Sequence, residues 1–78
     1  MKHYEVTLDY NCMDESGTDT YRFSSRDKAI DKWCECREII DEIMEGHDNV
    51  ERVEEDDFYG ILDRNNGDYA RTFITETH

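Results

Sequence analysis

Among the 78 residues of this sequence, three cysteines, three histidines and 21 carboxylates are the first candidates to ligate a metal, attack a substrate or carry a proton. Cys34 and Cys36 stand two apart in a stretch of helical periodicity, about 200° around the axis from each other, so both cannot reach one zinc ion while it stays helical. The run Asp63-x-Asn65-x-Gly67-Asp68 opens like a calcium loop. Its glycine comes one position early, and Ile74 stands where the bidentate glutamate of such a loop belongs, which makes the segment a turn. A cysteine nucleophile needs a histidine partner and a positive surrounding, whereas an acidic surrounding raises the thiol pKa. Cys34 falls on an apolar stripe and reads as core, and Cys12 reads as a loop thiol. His3, His47 and His78 lie near the termini or a helix end and read as solvated. Carboxylate pairs are unavoidable among so many acids and carry no information about acid–base chemistry, and there is no glycine-rich phosphate loop. The expectation is a protein that is not an enzyme and holds neither metal nor cofactor.

The carboxylates themselves have a pattern. Asp27, Asp31, Glu35, Glu38, Glu42 and Glu45 recur at steps of three and four and line up on one side of a helix. At about 1.5 Å per residue the stripe is roughly 27 Å long, with a mean step of roughly 5.4 Å. Successive phosphates along one strand of a duplex are roughly 6–7 Å apart, so a stripe of this pitch can imitate a phosphate backbone. Lys28 and Lys32 partly neutralise its first half, beside Asp31 and Glu35. Further on, Asp41, Asp48, Glu51, Glu54, Glu55, Asp56 and Asp57 add charge, with Arg52 the only lysine or arginine between Ile39 and Asp57. Like charges at helical spacing cost about a few tenths of a kcal/mol per pair. A partner supplying arginines and lysines would relieve that repulsion, through an interface that forms quickly and weakens with salt. The residues expected at such an interface are Asp31, Glu35, Glu38, Asp41, Glu42, Glu45, Glu51, Glu54, Glu55, Asp56 and Asp57.

Those carboxylates must be carried by elements that the periodicity identifies. From His3 to Tyr10 apolar and polar residues alternate, with Tyr4, Val6, Leu8 and Tyr10 on one side, which predicts a half-buried strand. Asn11 to Thr18 is polar and contains Gly17, and a second alternating run holds Tyr21 and Phe23, so the two runs predict a hairpin with a long loop. At Ser24-Ser25 the period changes to 3.6, and either serine can cap a helix beginning near Arg26, with Asp27 favourably placed in its first turn. Ala29, Ile30, Trp33, Cys34, Arg37, Ile40, Ile43 and Met44 then predict one helix of about 20 residues, ended by Gly46 in a left-handed cap. Val50 and Val53 give Asn49 to Glu55 a weak strand character, and their spacing of three suggests a bulge or an irregular edge. Phe58–Asp63 and Tyr69–Thr75 predict a second hairpin, closed by a tight turn at the Asn-Gly pair of Asn65-Asn66-Gly67-Asp68. Gly60 within it marks a bulge or a place where the helix or a partner comes close. The expected fold class is α+β, one helix packed on a four- to five-stranded antiparallel sheet in the order β-β-α-(β)-β-β, with the strand order in the sheet left open.

Size and charge narrow the function classes. A chain this short has room for one domain and buries only about 60% of its unfolded surface, so a deep active-site cavity would remove much of its core. Its nine aromatics fall inside patterned segments, which argues against disorder despite 38% charged residues. The net charge of −12 repels nucleic acid and anionic lipid, and there is no Lys/Arg patch to neutralise phosphates, so direct nucleic-acid binding and membrane binding are not expected. An odd number of cysteines without a disulfide framework suits a reducing compartment. The N-terminal run lacks the apolar core of a signal peptide, and no apolar run approaches about 20 residues, so a cytoplasmic protein is expected.

A small acidic α+β chain with carboxylates clustered from Asp27 to Glu45 and from Asp48 to Asp57 resembles the phage-encoded DNA-mimic inhibitors, including anti-CRISPR proteins. The resemblance is one of size, acidity and clustering, with no motif matched residue by residue. It implies occlusion of a basic nucleic-acid-binding surface, such as the channel of a Cas effector, without turnover. The alternative is a small acidic interaction or assembly module, homodimeric through a sheet edge or its aromatic faces, whose charge only keeps it soluble.

Overall fold

A computed structural model describes residues 2–12 and 15–77. His78 lies outside them, as do residues 13 and 14. The alternating segments form β1 (His3–Cys12), β2 (Glu15–Phe23), β3 (Val50–Glu54), β4 (Phe58–Asp63) and β5 (Tyr69–Thr77), and the 3.6-period segment forms α1 (Arg26–Ile43). All pairings are antiparallel, in one five-stranded sheet of order β2-β1-β5-β4-β3. The first and last strands are therefore neighbours at the centre, and α1 crosses one face of the sheet to carry the chain from one edge strand to the other. This is the α+β arrangement that the periodicity predicts.

The core lies between α1 and that face. Val6 and Leu8 of β1, Tyr59 and Ile61 of β4 and Ala70 of β5 meet Ala29, Trp33, Cys36 and Ile40 of the helix, with Met44 just beyond it. Trp33 Nε1 donates to the Thr72 carbonyl at 3.2 Å, which anchors the middle of the helix over β5. The helix phase differs from the expected one. Cys36 is fully buried and Cys34 is exposed, because the buried stripe steps 29, 33, 36, 40, 44 and turns position 34 outward.

Other local expectations need correction. Ser25 occupies the N-cap position with extended backbone, but its hydroxyl makes no capping hydrogen bond. The first hairpin has no long loop: pairing continues to Cys12↔Glu15, and the polar residues from Ser16 to Thr18 are strand. β3 has no bulge. It pairs regularly with β4 from Val50↔Asp63 to Glu54↔Tyr59, and its two valines point to opposite faces. The β4–β5 connection is wider than a two-residue turn. Asp63 N donates to Asp68 O at 2.7 Å and Gly67 N to Asp63 O at 2.9 Å, with Gly67 taking the left-handed conformation at φ +81°. Gly46 takes the expected left-handed conformation at φ +90°, but it stands two residues beyond the helix C-cap, which is Met44. Gly60 is regularly paired on the face away from the helix, and a Cβ there would meet the Phe58 ring at 3.1 Å and Arg71 Cβ at 3.3 Å. The close approach at Gly60 comes from its own neighbours.

Candidate functional site

The buried stripe of α1 fixes where its carboxylates go. At about 100° per residue, the side opposite Ala29, Trp33, Cys36 and Ile40 carries Asp27, Asp31, Glu35, Glu38 and Glu42, and Glu45 follows in the turn after the helix. All of them are exposed. Lys32 stands 3.5 Å from Glu35 and also lies over the Tyr21 ring at 4.2 Å. The last turn of the helix contains no base.

Asp41 sits on the flank of α1 that faces β4, where it accepts a hydrogen bond from Tyr59 Oη. Burial raises the Tyr59 pKa above the ordinary tyrosine value, and that hydrogen bond and the Asp41 charge raise it further. Arg37, on the same flank, lies over the Trp33 and Tyr59 rings at 5.0 and 4.6 Å and pairs with Glu54 of β3. Glu54 thus belongs to the helix-bearing face. Glu51, on the opposite face by strand alternation, pairs with Arg64. Glu55, Asp56 and Asp57 form the β3–β4 turn, closed by Glu55 N donating to Phe58 O at 2.8 Å.

The structure therefore brings the helix carboxylates into one outward ridge, sets Asp41 and Glu54 along its side and the β3–β4 turn beyond β3, and leaves Glu51 on the other face. Among the described residues, Asp31, Glu38, Glu42, Glu45, Glu55, Asp56 and Asp57 have no cation within ion-pairing distance. An array of exposed, unpaired carboxylates is suited to meeting a basic surface.

The face of the sheet away from α1 is different in kind. On β1 and β2 it is polar, and Asp9 accepts from Thr18 and Arg71. Toward β3 it becomes more apolar, with a shallow hollow of about 260 Å³ lined by Val53, Phe58, Gly60, Leu62 and Tyr69 together with the charged residues Glu51 and Arg71. The Phe58 and Phe73 rings stack beside it with centroids 6.2 Å apart.

A second group of polar side chains, away from the ridge, was not legible in the sequence. Cys12 is the buried last residue of β1, not a loop thiol, and His47 is half-buried, not solvated. His47 Nδ1 meets Asp63 Oδ2 at 2.6 Å, and its Nε2 lies 3.8 Å from Cys12 Sγ. Asp68 Oδ2 is 3.6 Å from the same sulfur. Burial pushes the Cys12 thiol up, and the charges of Asp68, Asp63 and Glu15 push the same way. The hydrogen bond from His47 holds Asp63 below the ordinary carboxylate range, helped by Asn65 N donating to Oδ1. Sulfur, imidazole and carboxylate stand in the order of a thiol nucleophile, its base and its orienting group. Both the burial and the surrounding negative charge disfavour the thiolate such chemistry needs. No local spacing could have revealed this group. It forms because β1 pairs with β5, where Asn11↔Tyr69 sets Cys12 beside Asp68.

No family model matches the sequence, and no curated protein or solved structure matches it either. No described helix is long and apolar enough to cross a membrane.

Proposed function

We propose that this chain is an acidic protein-binding inhibitor of the DNA-mimic kind, an anti-CRISPR-type protein of a phage, acting in the host cytoplasm. It works without turnover, by occluding a basic nucleic-acid-binding surface such as the channel of a Cas effector. The observation that carries this reading is the outward ridge of α1. Its C-terminal half presents Glu38 and Glu42, with Glu45 in the turn that follows, and has no base in the last turn, where the helix dipole favours cations and penalises anions. A helix selected for stability alone would carry lysine there. Acids that oppose the dipole and one another fit a surface whose charge is completed by a partner.

The test is capture of a host nucleic-acid-binding complex at low salt, with and without nuclease, and its release by added duplex DNA. The triple variant Glu38→Lys, Glu42→Lys, Glu45→Lys should lose capture while keeping the circular dichroism of the parent. Capture that survives these reversals and ignores DNA would end the mimic reading.

The alternative, an interaction module that assembles through its apolar surface, is favoured by the hollow around Gly60, where Val53 and Leu62 are exposed beside stacked phenylalanines. It predicts that Leu62→Asp abolishes association and that the helix reversals leave it intact.

A further inference from the structure

We infer that Cys12, His47 and Asp68 form a binding site for a zinc-class divalent cation, with Asp63 orienting the histidine. The site is independent of the acidic ridge. It joins the end of β1, the segment after α1 and the β4–β5 turn, three stretches that are distant in sequence.

Two of the three ligand separations fit the edges of a metal tetrahedron. With metal–sulfur bonds of about 2.3 Å and metal–nitrogen or metal–oxygen bonds of about 2.0–2.1 Å, the edges between ligand atoms are roughly 3.5 Å. The observed sulfur–nitrogen and sulfur–oxygen separations are 3.8 and 3.6 Å, and all three ligand atoms lie within 4.8 Å of one another. A shift of a few tenths of an ångström brings the first two edges to that length.

The imidazole is aimed for the purpose. The contact of its Nδ1 with the Asp63 carboxylate fixes the ring and, with the proton on Nδ1, leaves the Nε2 lone pair directed at the cluster, the carboxylate–histidine–metal arrangement of known zinc sites. Asp63 is itself held by Asn65 N at 2.9 Å, and the His47 and Asp63 side chains are only 11% and 8% exposed. The ligand chemistry selects the ion. Thiolate with imidazole and one carboxylate suits zinc or cobalt, while calcium and magnesium require all-oxygen shells.

Charge balance supports the same assignment. Cys12, Asp68 and Asp63 crowd negative or potentially negative groups around a nearly buried sulfur, with no Lys or Arg ion-paired to Asp63 or Asp68 among the described residues. A divalent cation replaces the thiol proton, which leaves to solvent, and neutralises the thiolate and the Asp68 carboxylate. An entry path exists, because Cys12 lines the groove between α1 and the first hairpin, together with Glu15 and Ile43. Three protein ligands leave one position for water or a further carboxylate, and Glu15, directly across the pairing from Cys12, is on the same face.

The test uses the reduced, chelator-treated full chain titrated with Co²⁺ and then Zn²⁺. The expected result is a near-ultraviolet thiolate-to-cobalt band that saturates at a single equivalent, is displaced by Zn²⁺, persists in Cys34→Ser and vanishes in Cys12→Ser. Asp63→Asn should weaken binding by about 10–100-fold while keeping the band. Because Cys12→Ser alters a buried residue, the unsubstituted chain supplies a second readout: Zn²⁺ should slow alkylation of Cys12, located by peptide mass mapping, and leave Cys34 unaffected. Absence of the band at stoichiometric cobalt, its survival in folded Cys12→Ser, or alkylation of Cys12 at the same rate with and without Zn²⁺ would overturn the assignment.

Discussion

Tyr59 shows how one residue can belong to the core and the surface at once. Its ring is buried under Arg37, and its hydroxyl reaches out to Asp41 at the edge of the acidic ridge. The raised pKa has a definite sign for stability. Between the ordinary tyrosine value of about 10 and the higher folded value, the unfolded chain has lost a proton that the folded chain keeps. The stabilisation is thus fully present below pH of about 10 and is lost as pH rises toward the folded pKa. Alkaline titration followed by tyrosinate absorbance should show one of the five tyrosines ionising last, and that step should be missing in Tyr59→Phe. Asp41→Asn should move the step down without abolishing it, since burial is the larger cause. If Tyr59→Phe leaves the last step in place, the hydroxyl is not the shifted group. At this scale the sequence was only partly legible. Cys34 and Cys36 differ by two positions, and which one is core depends on how the helix is rotated over β5, where the Trp33 bond to Thr72 sets the phase.

At the scale of elements, α1 has a favourable beginning and an unfavourable end. Asp27 lies in the first turn, where it suits the dipole, and Glu42 lies in the last, where it does not. Glu42→Lys would place a cation at the negative end and, four residues after Glu38, form a favourable pair. The substitution should stabilise the fold by about 0.5 kcal/mol at low salt, read as a higher urea midpoint with unchanged slope. A loss of stability would mean that Glu42 has a partner within the chain. The helix and strands β1, β4 and β5 were legible because each has one face on the core, so burial imposes a period. β3 was not, because every residue of this edge strand is exposed and no alternation is demanded of it. The polar end of the first hairpin misled for a related reason: most of β2 is exposed, so its residues look like loop.

For the whole molecule, the two candidate sites differ in how they could be read. The acidic ridge is a local periodicity and stands in the sequence as plainly as the helix does, apart from Glu51, whose face depends on its pairing with Leu62. The Cys12–His47–Asp68 cluster depends on a strand order that no local pattern encodes. The net charge of −12, spread over a body of 43 × 22 × 17 Å, makes a prediction that separates folding from binding. The screening length falls from about 10 Å at 0.1 M salt to about 3 Å at 1 M, so repulsion within the folded chain fades as salt is added. The internal ion pairs fade too, but pairs such as Arg64–Glu51 are exposed, and such pairs contribute little. Repulsion should therefore dominate. The urea midpoint, measured with an uncharged denaturant so that salt can be varied alone, should rise with sodium chloride. If the proposed function holds, binding to a basic partner should weaken over the same range, because such a partner would neutralise the charges that strain the free chain. Opposite slopes for stability and affinity would tie the acidity to the partner. A midpoint that falls with salt would mean that the ion pairs outweigh the repulsion, and the ridge would then lose its standing as a surface maintained at the expense of the fold.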